Sequence, residues 1–119
     1  MNLKEIAEEL VAGCREGRDG ENLDKLYAAD AVSVEAQDNG QGREVAGLDG
    51  LKGKHEWWTN AMEVSKFEVT GPMLHGDDRF AVIFTVAGKE KESGRTFDMQ
   101  EVGLYHVADG KIVREEFFY

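Results

Sequence analysis

Three glutamates stand among apolar neighbours on stretches that alternate as strands do: Glu35 after Val32 and Val34, Glu101 between Met99 and Gly103, and Glu115 between Val113 and Phe117. Desolvating a carboxylate is costly or raises its pKa, so a residue of this kind is solvated, paired, or poised for proton transfer. If the three rows face a cavity, their carboxyl groups are candidates for acid/base chemistry. Alternation alone leaves plainer placements open. Val32 and Val34 can face the core and leave Glu35 in water, while Glu101 and Glu115 can lie at strand ends or pair with Arg95 or Arg114. His55, His75 and His106 are spaced too irregularly for a local metal motif. His55 lies on an apolar helical stripe, as a core histidine or as a donor. His75 falls in a turn, and His106 shares the row of Val102 and Leu104. No serine or cysteine sits in a nucleophile elbow. Gly47, Gly50 and Gly53 lack both the Walker lysine-serine pair and the G-x-G-x-x-G fingerprint. The expectation is chemistry with no metal and no cofactor.

The 119 residues carry 14 Lys plus Arg against 24 Asp plus Glu, a formal charge of −10. That field repels phosphate backbones and anionic headgroups, which sets aside nucleic-acid and membrane-surface roles. With 41% hydrophobic residues the chain can bury a core, and its length suits one domain over residues 1–119. Cys14 is the single cysteine, so no intrachain disulfide forms and a reducing compartment is expected. The N-terminal stretch has no signal-peptide pattern, and no run of about 18 apolar residues occurs. A cytoplasmic protein is the expectation.

The elements that must position the glutamates can be read from periodicity. Leu3, Ile6, Ala7, Leu10, Val11 and Cys14 form one helical stripe, opened by an Asn2/Glu5 capping box and stopped at Gly17. Asn22 is expected to cap a short second helix carrying Leu23, Leu26 and Tyr27 and running to about Asp30. A first strand follows over 31–36, then turn chemistry over 37–42. Asp49 is expected to cap a third helix with the stripe Leu51, His55, Trp58, Met62, ending near Val64. Extended stretches are predicted at 67–74, 79–90, 95–107 and 112–119, joined by short loops that make antiparallel hairpins. The nearly continuous apolar run from Phe80 to Val86 reads as a strand covered on both faces. Trp57 and Trp58 lie about 100° apart on a helix, so Trp58 follows the stripe and Trp57 packs at an edge or against a partner. Helices followed by a strand meander give an α+β domain with helices on one sheet face. Apolar residues on the other face, among them Val102, Leu104 and Phe118, predict a homodimer through the sheet.

The segment from Leu26 to Glu35 (LYAADAVSVE), the segment Gly47 to Leu51 (GLDGL) and the segment Glu101 to Val113 (EVGLYHVADGKIV) resemble the nuclear-transport-factor-2-like superfamily. That superfamily includes ketosteroid isomerase and the SnoaL-like polyketide cyclases. The resemblance implies a cone: three N-terminal helices closing over a curved, mainly antiparallel sheet around an apolar cavity. The catalytic carboxylate of ketosteroid isomerase lies eight residues after the tyrosine of its matching segment, an offset that lands here on Glu35. The resemblance also implies that Glu115, Phe117 and Tyr119 face the cavity, as do Met99, Glu101 and Tyr105, with Gln100 the alternative to Glu101 if the strand shifts by one residue. In ketosteroid isomerase an aspartate base works with a tyrosine and a neutral carboxylic acid that donate to the enolate. The first helix here supplies no such tyrosine, a departure that favours a cyclase-like reading over steroid isomerisation. Glu35 is then the base, with Tyr105, His55 or protonated Glu101 as donors, and Tyr27, Trp58, Met62, Phe84, Met99, Glu115, Phe117 and Tyr119 lining the site. The expected activity is a cofactor-free cyclase, isomerase or lyase acting on a small apolar carbonyl compound. The alternatives are a non-catalytic ligand-binding or dimeric accessory protein, and an association module whose cone is filled by side chains. An epoxide-type hydrolase is weaker still, since Arg114 alternates away from the two acids it would have to bridge.

Overall fold

The computed structural model describes residues 1–38, 40 and 42–119. In chain order the elements are α1 (Leu3–Glu16), α2 (Asp19–Leu26), β1 (Tyr27–Val34), β2 (Glu44–Ala46), α3 (Leu48–Ala61), β3 (Met62–His75), β4 (Arg79–Glu90), β5 (Thr96–Ala108) and β6 (Lys111–Phe118). The six strands form one mixed sheet in the order β2-β1-β6-β5-β4-β3. All neighbours are antiparallel except β1 and β6, which run parallel. The α+β cone expected from the resemblance is the fold observed, and no helix among the described residues is long and apolar enough to cross a membrane.

The first helix forms as its sequence dictates. Asn2 and Glu5 make both halves of the capping box, and Gly17 ends the helix at φ 76°, a left-handed conformation that glycine adopts without steric cost. Ile6, Ala7, Leu10 and Val11 are buried against the sheet. The second helix differs from expectation. It starts at Asp19 rather than after Asn22, because Arg18 is held by Glu9 and Glu16 and turns the chain immediately past Gly17. Asn22 is no cap. It is buried in the helix, and its side-chain amide donates to the Glu9 carbonyl at 3.2 Å, fastening α2 to α1. The helix stops at Leu26 instead of Asp30, since Tyr27 already pairs with Ile112 of β6. Sheet pairing overrides the helical spacing there.

Gly47, not Asp49, is the N-cap of α3, at φ 88°, and Asp49 sits in the first turn where its charge complements the helix dipole. The helix ends at Ala61, and β3 begins at Met62, five residues before the predicted start. The short strand β2 lies beyond the turn over 37–42, in which the Asp38 carboxylate accepts from the backbone N–H of Gly40 and Gly42. Asn39 and Gln41 of that turn lie outside the described residues. Bulges between Val64 and Lys66 and between Thr70 and Met73 break the β3–β4 ladder, and such insertions bend a sheet. The bend turns one face inward. Phe80, Val82, Phe84 and Val86 of β4 cover that face and are buried, while Ile83 is half-buried on the other.

The tightest crossing is between α1 and α2, where a Cβ added at Gly13 would lie 2.1 Å from Asn22 Nδ2. Gly13→Ala is expected to lose about 1–3 kcal/mol through overpacking. Gly53 in α3 has open space around it, so Gly53→Ala is expected to gain about 0.5–1 kcal/mol from helix propensity. Urea unfolding midpoints of the two variants against the parent check both signs.

Candidate active site

Between the helices and the concave sheet face lies a cavity of about 560 Å³, within the range of about 300–1,000 Å³ usual for small-molecule sites. At its base, β6 carries Glu115, buried with only 8% of its surface exposed. Register places Glu115 opposite Tyr105 of β5 on one side and Ser33 of β1 on the other. The Tyr27 hydroxyl donates to Glu115 Oε1, and the Ser33 hydroxyl donates to Oε2 at 2.8 Å. Ser33 in turn accepts from Lys54 Nζ at 2.7 Å. Burial pushes the Glu115 carboxyl above its ordinary pKa, against the lowering effect of the Tyr27 hydroxyl, the Lys54 charge and the Ser33 hydroxyl.

Lys54 leaves this chain by a second contact. Its ammonium pairs with Glu35 Oε1 at 2.6 Å and lies 5.0 Å from the centre of the Phe117 ring. Glu35 is therefore on the cavity wall, ion-paired rather than bare in water. The β5 row facing inward is Phe97, Met99, Glu101 and Tyr105, so Glu101 and not Gln100 points into the cavity. Among the described residues Glu101 has neither an ion pair nor a hydrogen bond. Burial pushes its carboxyl up to about 7, the negative charges of Glu35 and Glu115 adding and Lys54 opposing.

Tyr105 stacks on Phe80 with ring centres 4.9 Å apart and meets Phe117 edge-on at 6.3 Å. Its ring leans back over Gly103, where a Cβ would lie 2.9 Å from the ring and 3.1 Å from the hydroxyl oxygen. That gap brings the hydroxyl toward Glu101, two residues further along the strand. Trp58 of α3 packs on Phe97 at 5.6 Å, and Phe84 stacks on Phe67 at 6.0 Å, making an aromatic wall that also includes Met62. Trp57, expected at an edge, is 46% exposed and still contributes to the lining. Tyr119 closes the row begun by Glu115 and Phe117.

His55 is placed differently from the other candidate donors. Its Nε2 is bound to Asp19 Oδ2 at 2.8 Å, tying α3 to α2. That bond raises the imidazole pKa and lowers that of Asp19. Cys14 also borders the cavity, and burial pushes its thiol up to about 12, so it stays neutral. No set of three His, Cys, Asp or Glu side chains among the described residues is grouped to hold a metal ion. The sequence reading missed Lys54 and Ser33. Lys54 lies three residues after Leu51 and four before Trp58, so helical spacing puts it on the same stripe of α3 as these two apolar residues.

The sequence profile of the SnoaL-like domain matches residues 1–119. The chain belongs to the SnoaL-like family. A candidate SnoaL-like polyketide cyclase from Mesorhizobium loti is 34% identical, with complete coverage of both chains and a TM-score of 0.93. A nuclear-transport-factor-2-like protein from Burkholderia thailandensis is 15% identical over 99% of this chain and 90% of its own, with a TM-score of 0.83. A protein with a ketosteroid isomerase-like fold from Catenulispora acidiphila, solved in complex with trimethylamine, is 20% identical over 97% of this chain and 85% of its own, with a TM-score of 0.71. The last two share the fold alone. No curated protein matches the chain.

An acid whose pKa is higher in the folded than in the unfolded state binds more protons when folded, so stability declines as pH rises between the two values. For Glu101 that window runs from 4.5 to about 7. Glu101→Gln removes this decline and is expected to gain about 3 kcal/mol on the parent protein between about pH 4 and about pH 8. Denaturant unfolding of both proteins across that range measures the difference.

Proposed function

We propose that this SnoaL-like protein is a cofactor-free acid/base enzyme, a cyclase, isomerase or lyase, acting on a small apolar carbonyl compound held in the cone. The observation that carries the reading is the division of labour between two carboxyl groups on one apolar wall. Glu35 is paired with a cation and is the base, whereas Glu101 is unpaired and half-protonated near neutrality. An ion-paired carboxylate beside a carboxyl group that burial keeps partly protonated supplies a proton acceptor and a proton donor in one site. A carbonyl compound lying against Trp58 and Phe97 presents its acidic C–H to Glu35. The C–H electron pair moves to the carbonyl oxygen, and the proton moves to Glu35. Protonated Glu101 and the Tyr105 hydroxyl donate to that oxygen, and His55, bound to Asp19, stays beside the reaction as a helix tie. Residues 1–119 act as one unit.

The trimethylamine complex of a fold neighbour favours one further reading, a non-catalytic binder that uses the same aromatic wall. We also infer a homodimer through the outer sheet face, where one row runs Ile83, Val102, Phe118 and the next Met73, Ala81, Leu104 across the strands, and Phe118 is 48% exposed. The single neutral thiol of Cys14 suits a reducing cytoplasmic setting.

Hydrogen–deuterium exchange at the acidic carbon of a panel of apolar 1,3-dicarbonyl compounds, followed by NMR, tests the activity. Glu35→Gln is expected to slow the exchange by about 10²- to 10⁴-fold while binding is retained. Binding with no exchange above the buffer rate in the parent protein selects the binder instead. Sedimentation of the parent protein is expected to give a dimer, and Val102→Asp a monomer, since a carboxylate at the centre of that apolar face would be desolvated on association.

A further inference from the structure

The Lys54 ammonium has three N–H donors. One goes to Glu35 at 2.6 Å and one to Ser33 at 2.7 Å. The remaining one has no hydrogen-bond acceptor among the described residues and lies on the side of the Phe117 ring, within the cavity wall. The lysine side chain is 24% exposed and cannot swing freely, because Ser33 and, through it, buried Glu115 hold it from below. Resting on the enolisation reading above, we propose that Lys54 is a catalytic residue, the counter-ion of the enolate formed when Glu35 takes the substrate proton.

Charge bookkeeping at the site supports this assignment. Before transfer the pair is Glu35 anionic and Lys54 cationic. When the C–H bond breaks, its electron pair ends on the substrate oxygen and its proton on Glu35. Glu35 is then neutral, and the ammonium it held faces an oxygen carrying the same negative charge. The sum of charges around Lys54 is unchanged, and no new ion is created in an apolar space, where it would be most costly. The other groups around the ammonium do not supply this balance. Glu101 on β5 and Glu115 on β6 carry negative charge or none, and His55, the next residue on α3, is bound to Asp19 of α2. The substrate class follows: a carbonyl compound that develops a full negative charge on oxygen, such as a 1,3-dicarbonyl or an activated ketone, rather than one that needs only a neutral donor.

The test uses 4-nitrophenol, whose oxygen is neutral or anionic at a pH of choice and whose phenolate absorbs separately. Glu35→Gln imitates the base after it has been protonated, so it frees Lys54 for the phenol oxygen. In that variant the ratio of bound phenolate to bound phenol is expected to exceed the ratio in Glu35→Gln/Lys54→Met by about tenfold or more at the same pH. Glu35→Gln/Lys54→Gln, which keeps a donor for Ser33 without the charge, is expected to behave as the methionine variant does. Equal ratios in the folded variants overturn the role of Lys54 and leave the pocket reading standing. Absence of bound phenol in every variant and in the parent protein, followed by tryptophan fluorescence, overturns the pocket reading and this assignment with it.

Discussion

A carboxyl group buried under a curved sheet must have its oxygens satisfied by the protein, and Glu115 imposes that requirement on three elements at once. Tyr27 and Ser33 from β1 donate to its two oxygens, and Lys54 from α3 donates to Ser33. An unsatisfied buried acid costs more than its hydrogen bonds return in water, so these partners are held in place by the acid as much as they hold it. The strand pairing, the approach of α3 and the position of the lysine are thus one arrangement. Everything on the cavity wall is measured from it.

The arrangement also sorts the charges of the site. Glu35, Glu101 and Glu115 share the cavity wall with the Lys54 ammonium, and of these three carboxylates Lys54 forms an ion pair with Glu35 alone. Glu35 takes the ion pair. Glu115 takes the hydroxyls and Glu101 takes neither, which is why burial acts on it with least opposition. Identical side chains have become unlike acids by position alone. Gly103 adds a steric contribution, since only a missing side chain there lets the Tyr105 ring lie along its own strand toward Glu101.

Much of this was legible in the sequence, and the misreadings have particular causes. The capping box of α1 follows from local spacing and the inward rows of β5 and β6 from the family resemblance, whereas the run from Phe80 to Val86, expected to be covered on both faces, is covered by the helices on one face and leaves Ile83 and Thr85 half-buried on the other. Asn22 and Tyr27 did not read correctly, because a buried amide bond to α1 and a parallel pairing with β6 are contacts between segments distant in the chain. Asp49 looked like a cap, but Gly47 at positive φ already turns the chain into the helix. Lys54 was hidden by its type: a lysine on a helical stripe reads as solvated until a buried serine and a facing glutamate are known to meet it. Choosing between Glu101 and Gln100 needed the strand register, which pairs Glu101 with Phe84 on the buried face.

The bond from Tyr27 to Glu115 joins residues 88 positions apart, and that from Ser33 spans 82. Strand β6 sits between β1 and β5, so the sheet has no continuous ladder until this last strand is inserted. Closing loops of that length precedes any reward from these two contacts, whereas the hairpin pairings of β3 to β6 need only short loops. A chain in which β6 is detached loses Glu115, so the hydroxyls of Tyr27 and Ser33 lose their shared acceptor at the same moment as β1 loses its parallel neighbour, while the contacts of Lys54 with Ser33 and Glu35 lie outside that strand.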